Sequence, residues 1–463
     1  MSTTPEPPAP VPPEGDRAQT DVVLLPGQPD LGSGSGSVPW RLDNANRSDR
    51  RVLARSSLTL IGRGISKFAI LVFLVLAARL LSKHEYGIYS YVLVLANTFG
   101  TLADPQVSII AGRDVAAGRS TPAQSYWSAI PLVVLGGVLA GVGLLVFGLI
   151  DRGPGGSVGV LAIAAGFIVF NRVQGIGLDM LRALGRFGLE ATIESTATIL
   201  LVLAASVIAA LGLGVAAVLA AFLAQSLLVA VVCHVALRAD VGPPRIVVGQ
   251  RSHLLRSGVK LSVGAGATAV ATRAPLIVLA SAASAVAVAS FSAGLRFADA
   301  AYVLALTAGQ ALLPNVAALL RTDPDRAARL TRRVIVLSMV AGAALAAVLA
   351  PFGSELTRAV FGAQYSSSGA LMSVMILSLP FMGVFWISWF SLCAYKRESD
   401  VVGVAILAAV ASVLAGILVI PGAGAKGAAW VYVGVMVLLA GGTLAMLERA
   451  SGGRASASGR SSP

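Results

Sequence analysis

The sequence predicts an all-α integral membrane protein of about 12 transmembrane helices, arranged as two six-helix bundles related by a parallel pseudo-two-fold repeat. Three observations predict it: composition, a regular series of apolar runs, and the alternation of basic loops. Hydrophobic residues make up 56% of the 463 residues and charged residues 12%, with a mean hydropathy of +0.81. An ordinary soluble domain carries about twice that charged fraction, so a soluble enzyme is excluded. The length would hold about three soluble domains or a dozen spans of ~20 residues with short loops; the composition selects the second.

Residues 1–56 read as a tail. Nine of the 22 prolines fall in its first 39 residues, and Gly32 to Ser37 alternate Gly and Ser. Such a segment buries too little apolar area to fold and is expected to be disordered. It has no basic stretch leading directly into an apolar run, so it is not read as a secretory signal peptide. Apolar runs follow near 57–80, 88–111, 128–150, 157–180, 191–211, 214–237, 257–281, 287–313, 334–352, 369–392, 401–420 and 428–447.

Charge tests that series. The net charge is +13, and the body over 57–447 carries +12 of it while the N-terminal tail is near neutral. A nucleic-acid-binding arm would instead concentrate basic charge in a soluble segment, so no nucleic-acid partner is expected. With the tail in the cytoplasm, the inner loops hold 16 Lys and Arg and the outer loops five, namely Arg79, Lys83, Arg152, Arg358 and Lys426. This is the positive-inside pattern, and it places both termini in the cytoplasm of a plasma (inner) membrane protein. The densest basic segment, 238–256, is expected to link a first bundle at 57–237 to a second at 257–447, with 448–463 a disordered C-terminal tail. Two short matches support a repeat: Arg55-Ser56 with Arg256-Ser257, and Ala183-Leu184-Gly185-Arg186 with Ala394-Tyr395-Lys396-Arg397.

No catalytic constellation stands out. His84, His234 and His253 lie in three different regions, and Cys233 and Cys393 are far apart in apolar stretches. Neither a disulfide framework nor a metal site is expected, nor any cofactor. The glycines read as helix-packing residues, with Gly136, Gly137, Gly141 and Gly143 sharing one apolar span.

Ionisable groups inside spans are costly and mark polar cavities. Arg273 lies about 24 Å along its span at 1.5 Å per residue. It is either a cavity cation for an anionic substrate or an arginine snorkelling to the outer surface. Arg63 and Lys67, one turn apart, line an inner cavity mouth or form the basic end of a helix. Arg172 and Asp179 share a face as an ion pair, a relay or a substrate contact. Arg296 and Asp299 are three apart and suit a local salt bridge. Asp104 and Glu194 are candidate coupling-ion acids or hydrogen-bonded helix-end acids. The candidate binding cations are thus Arg273, Arg63, Lys67, Arg172 and Arg296. The candidate coupling or relay acids are Asp104, Asp179, Glu194 and Asp299. Arg63, Lys67 and Arg273 have no acidic partner close in sequence.

The run Ala78-Arg79-Leu80-Leu81-Ser82-Lys83-His84-Glu85-Tyr86-Gly87-Ile88-Tyr89 resembles the R-L-L-x-x-x-E-Y-G-x-Y hairpin of polysaccharide (O-antigen type) flippases, within the multidrug/oligosaccharidyl-lipid/polysaccharide exporter superfamily. Asp104 and Arg113-Asp114-Val115-Ala116 continue that pattern. In the second half, Ala289 to Phe297 is similar to the family's G-x-Y-x-x-A-x-R. Pro314 resembles its P-x-x-A, Gly362-Ala363-Gln364-Tyr365 its G-x-x-Y, and Ile420 to Ala429 its I-P-x-x-G-x-x-G-A-A turn. The family commonly has an Asp after the Arg at position 273; here Ala274-Pro275 follows.

The resemblance implies a flippase that moves a polyprenyl-pyrophosphate-linked oligosaccharide from the cytoplasmic to the outer leaflet by alternating access, for cell-surface polysaccharide biosynthesis. It is a transporter in the lipid bilayer and not an enzyme. Glycosyltransferases and a polymerase of the same pathway would be its partners. Two other readings are a cation-coupled multidrug exporter and a membrane scaffold for glycan-assembly enzymes. Deleting residues 1–50 would disable the scaffold and spare the flippase.

Overall fold

A computed structural model describes residues 69–70, 72–116, 118–150, 157–244 and 248–458. The tail at 1–56, Arg63 and Lys67 lie outside the described residues. The described chain is helical throughout, without a strand. Its first-half helices are α1 (residues 72–80), α2 (Lys83–Leu102), α3 (Val107–Ala116), α4 (Pro122–Ile150), α5 (Val158–Ala183), α6 (Phe187–Ala210) and α7 (Gly214–Val241). The second half comprises α8 (Val248–Ala282), α9 (Ala285–Thr322), α10 (Pro324–Leu349), α11 (Gly353–Phe361), α12 (Gly369–Ile376), α13 (Leu379–Ala394) and α14 (Glu398–Ser458), with short 3₁₀ turns at Ala350–Phe352 and Ala363–Ser368.

By length and composition, seven of the described helices suit a membrane crossing, or eight if the bent pair α12–α13 makes one span. Large apolar side chains point outward along them. Leu139, Leu149, Leu203, Leu337 and Leu418 are each more than half exposed. A water-soluble surface avoids such a belt, and a lipid-facing one requires it.

The expected spans differ from the helices in four places. The run over 88–111 is broken at Asp104–Gln106 into α2 and α3. Pro105 biases Asp104 away from helical dihedrals, and Gln106 takes φ 50°. The span at 369–392 bends by 45° between α12 and α13, ahead of Pro380. The turn expected at 421–427 is a single break at Gly424 (φ 58°) inside α14. A straight α14 would be about 90 Å long, three times the hydrocarbon core. Its arms instead fold on each other, since a Cβ at Gly442 would stand 2.6 Å from Val404. Finally, α14 runs to Ser458, into the expected C-terminal tail, because Leu447 and Ala450 remain buried against the core. The expected linker is shortened likewise, with α7 ending at Val241 and α8 starting at Val248.

Packing follows the two halves. Helices α5, α6 and α7 pack on one another and on α2–α4; α10, α12, α13 and α14 pack on one another and on α8 and α9. The halves meet where α2 crosses α8 and α9 and where α3 and α4 reach α8. Within the first half, small residues on α4 set close approaches too: a Cβ would stand 2.5 Å from the Ala103 carbonyl oxygen at Gly136 and 3.0 Å from Val169 Cα at Gly137.

One turn repeats between the halves. After α5, the amides of Leu184, Gly185 and Arg186 donate to Met180, Arg182 and Leu181; after α13, those of Tyr395, Lys396 and Arg397 donate to Ser391, Cys393 and Leu392. The register is the same, 211 residues on, and both turns have a positive φ at the equivalent residue, 73° at Gly185 and 60° at Lys396. Glycine adopts that conformation without strain and Lys396 does not.

Candidate functional site

Where α2 and the first-half helices face α8 and α9, a cavity of about 480 Å³ opens. Its polar wall comes from both halves: Asn97 on α2, Asn171 and Gln174 on α5, Glu194 and Thr198 on α6, Gln225 on α7, Arg273 on α8, and Arg296, Asp299 and Tyr302 on α9. A second cavity of about 390 Å³ shares Asn97, Arg273, Asp299 and Tyr302 with it and is otherwise walled by Trp386, Trp389, Tyr432 and the threonines of α2 and α8. The charged cluster therefore stands at the junction of two lobes.

At that junction Arg273 Nη2 donates to Asp299 Oδ1 at 3.1 Å and Arg296 Nη1 to Asp299 Oδ2 at 3.2 Å. Two guanidinium groups share one carboxylate, and the trio keeps a charge of +1. Among the described residues Arg296 Nε is buried without a hydrogen-bond partner, and so is Gln174 Oε1. Orphaned polar atoms of this kind are costly in a closed interior and are suited to a polar ligand or water.

The placement of the predicted residues is mixed. Arg273, Arg296, Asp299 and Glu194 converge on the cavity. Arg273 has a partner after all, supplied by α9 and not by its own sequence neighbour. The local Arg296–Asp299 bridge is present. Arg172 and Asp179 do not pair with each other: seven residues put them about 10 Å apart along the axis, and each has a nearer partner. Arg172 Nη1 meets Asp104 Oδ2 at 2.6 Å across the α2–α3 break, while Asp179 pairs with Arg182, which also reaches Glu190 at 2.8 Å. Asp104, just past the end of α2, accepts from Gln106 N at 2.9 Å and Gln106 Nε2 at 3.0 Å. Among the described residues no group of three or more His, Cys, Asp or Glu is placed to hold a metal.

The neutral lining residues Asn97, Asn171, Gln174, Gln225 and Tyr302 were missed by the sequence reading, which followed charge. The four amides among them carry a signal: an amide is costly within an apolar helix unless it faces a polar space.

One end of the inter-half seam is latched. Arg79, in the last turn of α1, donates through Nε to the Val360 carbonyl at 2.8 Å and through Nη2 to that of Ala359. Lys83 Nζ donates to the Gln364 carbonyl at 3.1 Å and lies over the Tyr365 ring; Gln364 Nε2 donates back to Ala78 O at 2.9 Å. Burial lowers the Lys83 pKa. Tyr86 packs edge-on against Tyr365 behind this latch. Near the opposite end, buried Asp114 on α3 takes Arg119 Nη2 at 2.7 Å and lies 3.0 Å from Nε2 of His253 on α8.

The family model described as polysaccharide biosynthesis protein matches residues 52–320. No curated protein sequence matches the chain. Solved structures of similar fold include a lipid II flippase, MurJ, in an inward closed conformation: TM-score 0.67, 15% identity, 86% of this chain and 87% of that one. An inward-facing multidrug resistance MATE family transporter of the MOP superfamily gives a TM-score of 0.63 at 17% identity, covering 88% of this chain and all of that one. A MOP superfamily transporter from Pyrococcus furiosus gives 0.58 at 16%, covering 86% and 95%. The fold is that of a multi-pass MOP superfamily transporter.

Proposed function

Because the chain belongs to the polysaccharide biosynthesis protein family, we propose that it is a flippase for a lipid-linked oligosaccharide, carrying a polyprenyl-pyrophosphate glycan across the plasma membrane from the cytoplasmic leaflet. One observation carries the reading: the inter-half cavity presents Arg273 and Arg296, sharing a single carboxylate, beside a wall of amides. A guanidinium pair with unspent N–H donors suits a pyrophosphate. Asn97, Asn171, Gln174 and Gln225 suit sugar hydroxyls, as both donors and acceptors.

The positive-inside pattern puts Arg79, Lys83 and Arg358 outside, so the latched end is the outer gate and this state receives substrate from the cytoplasm. Pyrophosphate binding competes with Asp299 for the two arginines. Separation of the 78–86 hairpin from 359–365 then opens the outer end. The two halves rock about the α2–α8–α9 crossing, and no covalent chemistry is required. Both termini are cytoplasmic on this reading, and the glycosyltransferases and polymerase of the pathway supply and use the cargo.

Mass spectrometry of membrane lipids from a depleted strain tests this. Accumulated polyprenyl-pyrophosphate oligosaccharide, with loss of the matching surface glycan, is the expected result. An unchanged lipid pool with normal surface glycan would overturn it. A second reading, a cation-coupled drug exporter, is favoured by Glu194 on the cavity wall; there Glu194→Gln would abolish drug efflux.

A further inference from the structure

Away from the central cavity, a groove of about 530 Å³ lies between the start of α10, the end of α13 and the end of α14. We infer that it is a binding site for an anionic glycerophospholipid of the cytoplasmic leaflet, with the phosphate on Arg329 and Arg332 and an acyl chain along Ile335, Val336, Met339 and Leu444. The volume is that of a small-ligand site, and the lining is sorted by depth. Arg329, Arg332, Glu448 and Ser451 stand at the basic-loop end of these helices. Ile335, Val336, Met339, Val384 and Leu444 continue into the apolar part. From Arg332 to Met339 the groove follows α10 for about 10 Å. A charged head joined to a hydrocarbon tail fits that order, and a soluble anion leaves most of it unused.

Three observations point to an occupant. First, Arg329 and Arg332 line the groove and neither makes an ion pair among the described residues. Two unpaired guanidinium groups between helices at the cytoplasmic face are suited to an anionic lipid head. Second, Thr331 Oγ1 is buried, lines the groove and has no partner among the described residues. The other buried threonines, Thr98, Thr198, Thr268, Thr357 and Thr443, all donate to the carbonyl four residues back, the usual helical solution. Thr331 alone among them is left for something in the groove. Third, 11% of the apolar window that includes α10 is buried within the protein, against at least 33% in the other spans. A bound lipid would supply the packing that α10 lacks.

The test uses the purified full-length chain and native mass spectrometry with phosphatidylglycerol or phosphatidylcholine added in turn. The native chain should retain phosphatidylglycerol preferentially, and Arg329→Gln with Arg332→Gln should cut that retention about tenfold, the worth of one charge-assisted hydrogen bond. Thr331→Val should weaken it with all charges kept, and Met339→Trp should block the tail groove. Arg238→Gln with Arg256→Gln removes equal charge from α7 and α8, away from the groove, and should change nothing. Equal retention of both lipids by the native chain would overturn the site. So would phosphatidylglycerol retention unaffected by Arg329, Arg332 and Met339 together, or capture of polyprenyl pyrophosphate in its place.

Discussion

Gly87 of α2 lies so close to Ala285 of α9 that a Cβ at position 87 would stand 2.0 Å from the Ala285 carbonyl oxygen. The E-Y-G-x-Y stretch thus has a structural explanation. Glu85 completes a capping box with Ser82. Tyr86 and Tyr89 fill the core behind the latch. Gly87 is one point where the two halves touch backbone to backbone.

Gly87→Ala should therefore force α2 off α9. The expected loss is about 1–3 kcal/mol, the usual cost of overpacking, with a larger loss for Gly87→Val. Thermal unfolding of the purified protein measures it. An unchanged melting temperature for Gly87→Val would refute the contact.

Asp299 holds two arginines, so Asp299→Asn should be harsher than either Arg273→Gln or Arg296→Gln. Leaving paired charges uncompensated costs about 3 kcal/mol or more in a low-dielectric setting. Arg273→Glu should abolish glycan export at normal protein level, read from surface glycan and from immunoblots of the membrane fraction. Normal export from that variant would remove Arg273 from the substrate site.

Arg172 and Asp104 pin the break between α2 and α3 to α5. Arg172→Met and Asp104→Asn should each destabilise, and the double variant should lose less than the sum. A coupling energy of about 1–2 kcal/mol is expected from a double-mutant cycle on melting data. Strict additivity would show that the pair contributes nothing.

Asp114 supplies a pH dependence. Burial disfavours its charge, but hydrogen bonds from Arg119 and His253 outweigh this and hold its carboxyl below the usual range. A carboxyl with a lowered folded pKa stabilises the fold above its unfolded value, about 4. That contribution fades as pH falls through the folded value. Stability should be steady from neutral pH to about pH 5 and should decline below it. Asp114→Asn should lower stability at neutral pH and flatten the acid limb, as followed by tryptophan fluorescence.

The sequence by itself determined that the chain is a helical membrane protein, roughly where its spans lie, and that Arg296 and Asp299 would meet. Those features depend on solvent preference and on neighbours three or four residues apart, and both are written locally. It also carried the repeat, since Ala183–Arg186 and Ala394–Arg397 form the same turn. Only the tertiary structure decided which acid pairs with Arg273, that Arg172 belongs to Asp104, and that uncharged Asn97, Asn171, Gln174 and Gln225 share one cavity. Those partners lie on different helices. Their meeting depends on how α2 crosses α8 and α9, a geometry set by small residues such as Gly87 and Gly258, whose Cβ positions would overlap backbone of the other half. No spacing along a single helix encodes it.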